Sequence, residues 1–250
     1  MPRVLLTIQY RGTHYAGWQR QENATGVQQI LEGALESMFG QPLHLEGAGR
    51  TDSGVHAAAQ RAHVDLPTGI TERGLLLGIN NLLPRDIRVT ACRGVPSGFH
   101  CRFDPHVKTY LYRIWNQPVA DAFLAETHAH VPYLLDVEAM NKAAQALVGH
   151  HDFGSFTVNH PEVSSTWRTV ESAGVSRTPN GVDIEVRADG FLRYMVRRMA
   201  GLLIETGRGK LGSEAAAEAL EPGLRKVRWT APAAGLTLME ITYRKPPDDF

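Results

Sequence analysis

The chain has 250 residues, 43% hydrophobic and 21% charged, which fits a folded globular protein with ample length for a core and excludes a disordered or collagen-like chain. Lysine plus arginine and aspartate plus glutamate number 26 each, so net charge by itself does not advertise nucleic acid as a partner. Two cysteines, Cys92 and Cys101, cannot build a disulfide framework; the opening Met1–Ile8 lacks a signal-peptide apolar run, and no stretch approaches the roughly 20 apolar residues that span a bilayer, so the expected place is the cytoplasm and no membrane is expected as partner.

In chain order, Val4–Tyr10 reads as a strand. After Thr25-Gly26 the apolar residues Val27, Ile30, Leu31, Ala34, Leu35, Met38 and Phe39 recur at helical spacing until Gly40 ends the pattern. Leu43–Glu46 and Gln60–Leu66 read as strands, Thr71–Leu83 as a helix, and Ile87–Arg93 as extended chain. Thr109–Asn116 alternates Tyr110, Tyr112 and Ile114 with Leu111, Arg113 and Trp115, a strand with two unlike faces. Asp136 can cap a helix through Val148, closed by Gly149. Trp167–Ser176 and Val182–Ala188 read as strands joined by the turn Thr178-Pro179-Asn180-Gly181. Asp189-Gly190 introduces a long helix to about Thr206, stopped by Gly207. Ser213–Leu220 reads as a short helix and Leu236–Tyr243 as the last strand.

Both halves mix strands and helices, with hairpins and no βαβ nucleotide-binding repeat. The fold class expected is α+β, two similar halves sharing a mostly antiparallel sheet with helices packed on it. The seam expected near Asn116–Ala129 gives domains 1–116 and 117–250. Charge is unevenly spread. Residues 3–20, 85–113 and 193–210 are rich in arginine, and acids gather elsewhere, including the Asp248-Asp249 tail. Segregated basic stretches in a neutral chain fit a polyanion-binding side, and equally fit ordinary solvated charges.

The stretch from Gly47 to Ala57, Gly-Ala-Gly-Arg-Thr-Asp-Ser-Gly-Val-His-Ala, places the carboxylate of Asp52 among three glycines, with Arg50 before it and His56 after. Glycine lets another molecule approach the main chain closely. An acid kept ionised by a neighbouring cation is suited to meet a substrate. A plain polar turn has the same composition. The helix expected from Phe191 is apolar on most sides yet carries Arg193 and Arg197. A buried arginine needs an anion, a structural glutamate or a carbonyl as partner.

Gly49-Arg50-Thr51-Asp52 with Gly54-Val55-His56-Ala57 resembles the catalytic loop of the tRNA pseudouridine synthase A (TruA) family. The resemblance extends to Tyr10-Arg11-Gly12-Thr13-His14-Tyr15-Ala16-Gly17-Trp18-Gln19-Arg20-Gln21, Asn81–Ile87, Phe99-His100-Cys101-Arg102-Phe103, Lys108–Tyr112, His151–Phe156 and Phe191–Arg197, in the family's order over nearly the whole chain. It implies the pseudouridine synthase fold and isomerisation of uridine to pseudouridine at positions 38, 39 and 40 of the tRNA anticodon arm, with no cofactor and no metal. It implies Asp52 as the essential carboxylate, Arg50 as holder of the flipped nucleotide, Tyr110 as the ring that stacks on uracil, and Arg197 as the partner of Asp52. It also implies a homodimer binding tRNA. Tyr112 reads as structural and His56 as packing. The chain departs from the family pattern at Cys101, where alanine is common, at Asp104, where a small residue is usual, and at Ala58-Ala59, where glycine is frequent.

Three other readings compete. An aspartic protease needs two carboxylates sharing a proton, and here Arg50-Thr51 precedes a single Asp-Ser-Gly triplet. A metal hydrolase could use His128-Ala129-His130 or His150-His151-Asp152, but no recognised ligand spacing follows. A non-catalytic RNA-binding module fits the basic stretches and leaves Asp52 without a role.

Overall fold

The computed structural model describes residues 2–158, 164–221 and 227–245, and the Asp248-Asp249 tail lies outside them. Two compact units emerge, one made of Met1–Val107 with Leu238–Phe250, the other of Lys108–Thr237. Asn116–Ala129 therefore lies inside the second unit, and Tyr110 belongs to that unit. Among the described residues the secondary structure is ten strands and five α-helices, and the pairings among the first nine strands are antiparallel except for one short parallel pair. The fold class is α+β with a mostly antiparallel sheet.

In the first unit, β1 (Arg3–Tyr10) runs between two partners. Its Val4, Leu5, Leu6 and Ile8 are all buried, the near-continuous apolar run of a strand covered on both faces. Helix α1 (Val27–Phe39) ends where Gly40 takes φ 70°, the left-handed cap that glycine adopts freely. Strand β2 spans only Glu46–Gly47. The extended run expected from Leu43 does not form there, because α1 takes the backbone of Leu45. Its N–H donates to Glu32 Oε1 at 3.1 Å, and its carbonyl accepts from Gln28 Nε2 at 3.0 Å. Strand β3 (His56–Asp65) starts earlier than its alternation suggests, since the Ala57-Ala58-Ala59 run carries no apolar–polar contrast to read. Helix α2 (Glu72–Leu82) is capped by Thr71, whose side chain accepts from Gly74 N at 3.0 Å. Strand β4 is Ile87–Val95. The strand order is β4-β1-β3, and α2 packs on β4 and beside α1.

The second unit begins on β5 (His106–Trp115). The two-residue β6 (Ala129–His130) runs parallel to it. Helix α3 (Val137–Gln145) is capped by Asp136, which accepts from Ala139 N at 3.0 Å. It stops short of Val148, and Gly149–Asp152 forms the edge strand β7 instead. Strands β8 (Trp167–Arg177) and β9 (Gly181–Ala188) form the expected hairpin, with Thr178 N–H donating to Gly181 O at 3.0 Å. The order β5-β9-β8-β7 carries α3 on β8. Helix α4 (Met195–Gly207) packs against α3, and α5 (Ala215–Leu220) against both. Strand β10 (Leu236–Tyr243) returns the chain to the first unit.

Helix α4 begins later than its apolar pattern implies. Tyr194 sits at φ 63°, ψ −1°, and Phe191–Arg193 are not helical. Arg193 and Arg197 are therefore not successive-turn neighbours on one helix face.

Candidate active site

The Asp52 loop joins β2 to β3 in the first unit, and the Tyr10–Gln21 segment clasps it. Trp18 N–H donates to Thr51 O at 3.1 Å, and Gly54 N–H and Ser53 Oγ both donate to Tyr15 O, at 3.2 and 3.3 Å. The hydroxyls of Tyr10 and Thr51 share a buried hydrogen bond of 2.8 Å. The loop closes on itself where Val55 N–H donates to Asp52 O at 3.1 Å, with Gly54 at φ 79°. Gln60 Nε2 holds Gly49 O at 3.0 Å from β3. This bracing leaves Thr51 buried, Asp52 half-buried and Arg50 exposed, with Arg50 Nε donating to Gln19 Oε1 at 3.0 Å.

Close approach of the clasp depends on glycines, two of them within the clasp itself. At Gly12 a Cβ would strike the Val55 carbonyl. At Gly17, φ 95°, it would lie 2.5 Å from Thr51 O. On its outer side the clasp is tied to the Pro84–Ile87 turn: Arg11 N–H donates to Asp86 O at 2.9 Å, and Tyr15 OH to Asp86 Oδ1 at 2.8 Å. Burial and the Asp86 carboxylate push the Tyr15 hydroxyl up, so it stays a protonated donor. Three sequence motifs far apart in the chain thus meet in one unit.

His56 does more than pack. It is buried, and its Nδ1 accepts from Gly12 N–H at 3.0 Å, which places the ring proton of the neutral form on Nε2. The histidine after the loop therefore latches the clasp. The Gly12–His56 pairing was not legible in either segment alone, because it joins residues 44 apart.

In the second unit, Tyr110 and Tyr112 share the buried face of β5. Tyr110 meets Phe191 edge-on, ring centroids 5.1 Å apart at 87°. Tyr112 is fully buried and donates its hydroxyl to Pro232 O at 3.0 Å, the structural role expected of it. Burial pushes the Tyr112 hydroxyl up, and the nearby Arg197 charge opposes that shift. Arg197 Nε donates to Ala231 O at 2.8 Å, while Ala231 N–H donates to Arg197 O at 2.9 Å. Its guanidinium also lies over the Tyr194 ring, 5.3 Å from the centroid. A carbonyl is thus among the partners of this arginine. Arg50 and Asp52 share one loop of the first unit, while Tyr110 and Arg197 occupy β5 and α4 of the second.

Several members of the basic stretches are already engaged. Arg3 grips Asp65 through two hydrogen bonds of 2.8 and 2.7 Å, and Arg20 pairs with Glu32 at 3.2 Å. Arg208 and Lys210 pair with Glu205 at 2.7 and 3.5 Å. Such residues hold the fold, so the length of a basic stretch overstates what it offers a polyanion. Among the described residues no cluster of three or more histidine, cysteine, aspartate or glutamate side chains could hold a metal ion. His150 and His151 lie on β7, where His150 stacks on Trp167 at 5.2 Å. No helix of the described residues is long and apolar enough to cross a membrane.

A family model described as tRNA pseudouridine synthase matches residues 6–104 and 143–244. The chain is 41% identical to a tRNA pseudouridine synthase A of Syntrophotalea carbinolica over 244 residues, 97% of each chain. It is 40% identical to one of Hydrogenovibrio crunogenus, covering 100% of this chain and 95% of the relative. It is also 40% identical to one of Paramagnetospirillum magneticum, covering 97% and 96%. The matched segments contain both the clasped Asp52 loop and the Tyr194–Arg197 turn, and on this agreement along its length the chain belongs to the tRNA pseudouridine synthase family.

Proposed function

We propose that this protein isomerises uridine to pseudouridine in tRNA, at positions 38, 39 and 40 of the anticodon arm, with Asp52 as the essential carboxylate. Membership of the family supports the reaction. The observation that carries the residue assignment is the half-buried Asp52, on a loop braced from Tyr10, Tyr15, Trp18 and Gln60. Such bracing suits a group that must be held within a fraction of an ångström of a reacting centre.

In the reaction the N1–C1′ glycosidic bond breaks, the uracil turns, and C5 bonds to C1′. C5 loses a proton and N1 gains one, so the product is an isomer and no electrons are exchanged with a cofactor. The target nucleotide must leave the base stack to reach a carboxylate on a folded loop. Arg50, exposed beside Asp52, holds the flipped conformation. Tyr110 stacks on the uracil, Arg197 partners Asp52, and exposed arginines outside the ion pairs named above contact phosphates without reading sequence. Residues 1–116 are the half that carries the Asp52 loop and Tyr110, residues 117–250 are the half that carries Arg197, and the protein works in the cytoplasm as a homodimer.

The test is incubation of the purified protein with unmodified tRNA transcript and no added cofactor, then digestion and chromatography of the nucleosides. Pseudouridine in the anticodon arm with wild type, and none with Asp52→Ala despite retained tRNA binding, is the expected result. Wild-type protein that binds transcript and makes no pseudouridine overturns the reading in favour of a binding module. Size in solution from light scattering checks the dimer.

A further inference from the structure

Tyr194 is the sole non-glycine among the described residues with a positive φ. A tyrosine in the left-handed region has Cβ crowded against its own carbonyl, and it lacks the short polar side chain that lets asparagine or aspartate tolerate the conformation. Such a residue persists only where its surroundings over-determine it. Those surroundings are visible. Thr157 Oγ1 donates to Arg193 O at 2.9 Å, and Arg198 Nη1 donates to Thr157 O at 2.7 Å. Met195 N–H donates to Leu192 O at 3.1 Å and Arg198 N–H to Tyr194 O at 2.9 Å. The turn is bonded on both sides of the residue that strains it.

The conformation delivers an aromatic plate beneath two cations. The Arg193 guanidinium lies 5.0 Å from the Tyr194 centroid and that of Arg197 lies 5.3 Å away. Arg193 Nη2 also donates to the Tyr194 hydroxyl at 3.3 Å. Arg197 is three residues on, in the first turn of α4. The Nε of Arg197 is fixed by Ala231 O, so the ring face and the carbonyl together restrict where its Nη groups point. Had the helix begun at Phe191, residue 194 would have right-handed geometry and its ring would project elsewhere.

We infer that Tyr194 is a positioning residue for Arg197, an aromatic plate held in a strained backbone conformation to aim that guanidinium. The inference rests on the reading that Arg197 serves the site proposed above. It adds a residue that does not itself touch the reacting atoms.

The test compares Tyr194→Phe, Tyr194→Leu and Tyr194→Gly, each alone and with Arg197→Gln, by single-turnover pseudouridine formation and by tRNA affinity. Phe keeps the ring and stays within about twofold of wild type. Leu and Gly lose the ring and slow the reaction about tenfold, with tRNA Kd and KM unchanged. In the Arg197→Gln background the same changes have no further effect, because their route to the chemistry is gone. A second readout needs no activity: in 15N-arginine-labelled protein, the Arg197 Hε resonance carries the ring-current shift of Tyr194, kept in Phe and lost in Leu. Full activity in Leu and Gly, a loss confined to KM, additive losses in the double variants, or an Arg197 signal indifferent to the ring would each overturn the inference. Wild-type turnover in the same assay reports separately on the proposed reaction.

Discussion

The clasp on the Asp52 loop makes Gly17 a position where a single methyl group should be costly. At φ 95° a side chain strains the backbone at a cost of about 1–2 kcal/mol. The added Cβ would stand 2.5 Å from Thr51 O and 3.1 Å from the Asp52 carbonyl carbon, and both obstacles are backbone that cannot swing aside. Relief requires the clasp to retreat, which weakens the Trp18–Thr51 hydrogen bond and costs about 1 kcal/mol more. Gly17→Ala should therefore destabilise by about 2–3 kcal/mol, lowering the thermal midpoint by about 4–12 °C for a chain of this size. Retreat of the loop by even ~1 Å should cost about a hundredfold in pseudouridine formation. The control is Gly33→Ala, on an exposed face of α1 with nothing within 4 Å of the new Cβ, which should stabilise by about 0.5–1 kcal/mol and leave turnover alone. Thermal unfolding and nucleoside chromatography on the two variants decide the matter. A Gly17→Ala protein with wild-type midpoint and turnover would show that the loop does not depend on the clasp.

Two further outcomes follow from buried groups in the first unit. Burial, with Arg3 and His100 beside it, lowers the His63 imidazole from 6.5 to about 4. Below pH 6.5 the unfolded chain takes up a proton that the folded one refuses, so stability falls as pH drops from 6.5 towards 4, by up to about 3 kcal/mol, and this contribution levels off below that. Midpoints measured across this window should slope less in His63→Phe, and an unchanged slope would assign the acid sensitivity elsewhere. Both cysteines are buried, and burial beside Glu72 pushes the Cys92 thiol up to about 12. A thiol reagent at pH 8 should label neither until urea unfolds the chain, whereas rapid labelling under native conditions would contradict the packing around them.

Much of the fold was legible because its signals are local. Gly40, Thr71 and Asp136 stand at helix ends and cap them as their residue types suggest. The Thr178–Gly181 turn closes its hairpin, and β10 spans the expected Leu236–Tyr243. Failures occur where a distant partner overrides a local pattern. Leu43–Leu45 reads as strand, but Glu32 and Gln28 claim the backbone of Leu45 from α1. The Asp136 helix reads through to Val148, but Gly149–Asp152 pairs with Trp167–Val170 as an edge strand. The helix through Arg193 reads as continuous because apolar spacing records which residues are buried, not the φ of one residue between them.

The candidate site divides in the same way. Asp52 and Arg50 could be picked out as candidates because a glycine-rich loop around an acid is unusual enough to be matched as a word. The residues that hold that loop were not, since each acts through a partner far away in sequence: Gly12 through His56, Gly17 through Thr51, Tyr15 through Asp86. Tyr194 was hidden for the opposite reason. It sits inside a matched motif, where an aromatic beside arginines passes as one more helix residue, and only its backbone angle separates it from its neighbours. An acid can be recognised by type, but aiming it takes groups whose type says nothing. A glycine that yields space, a carbonyl that accepts, and a tyrosine turned the wrong way are visible only once the chain is folded. Substitutions at such positions should lower turnover more than tRNA binding, because they shift the proposed reacting groups and leave the exposed arginines in place.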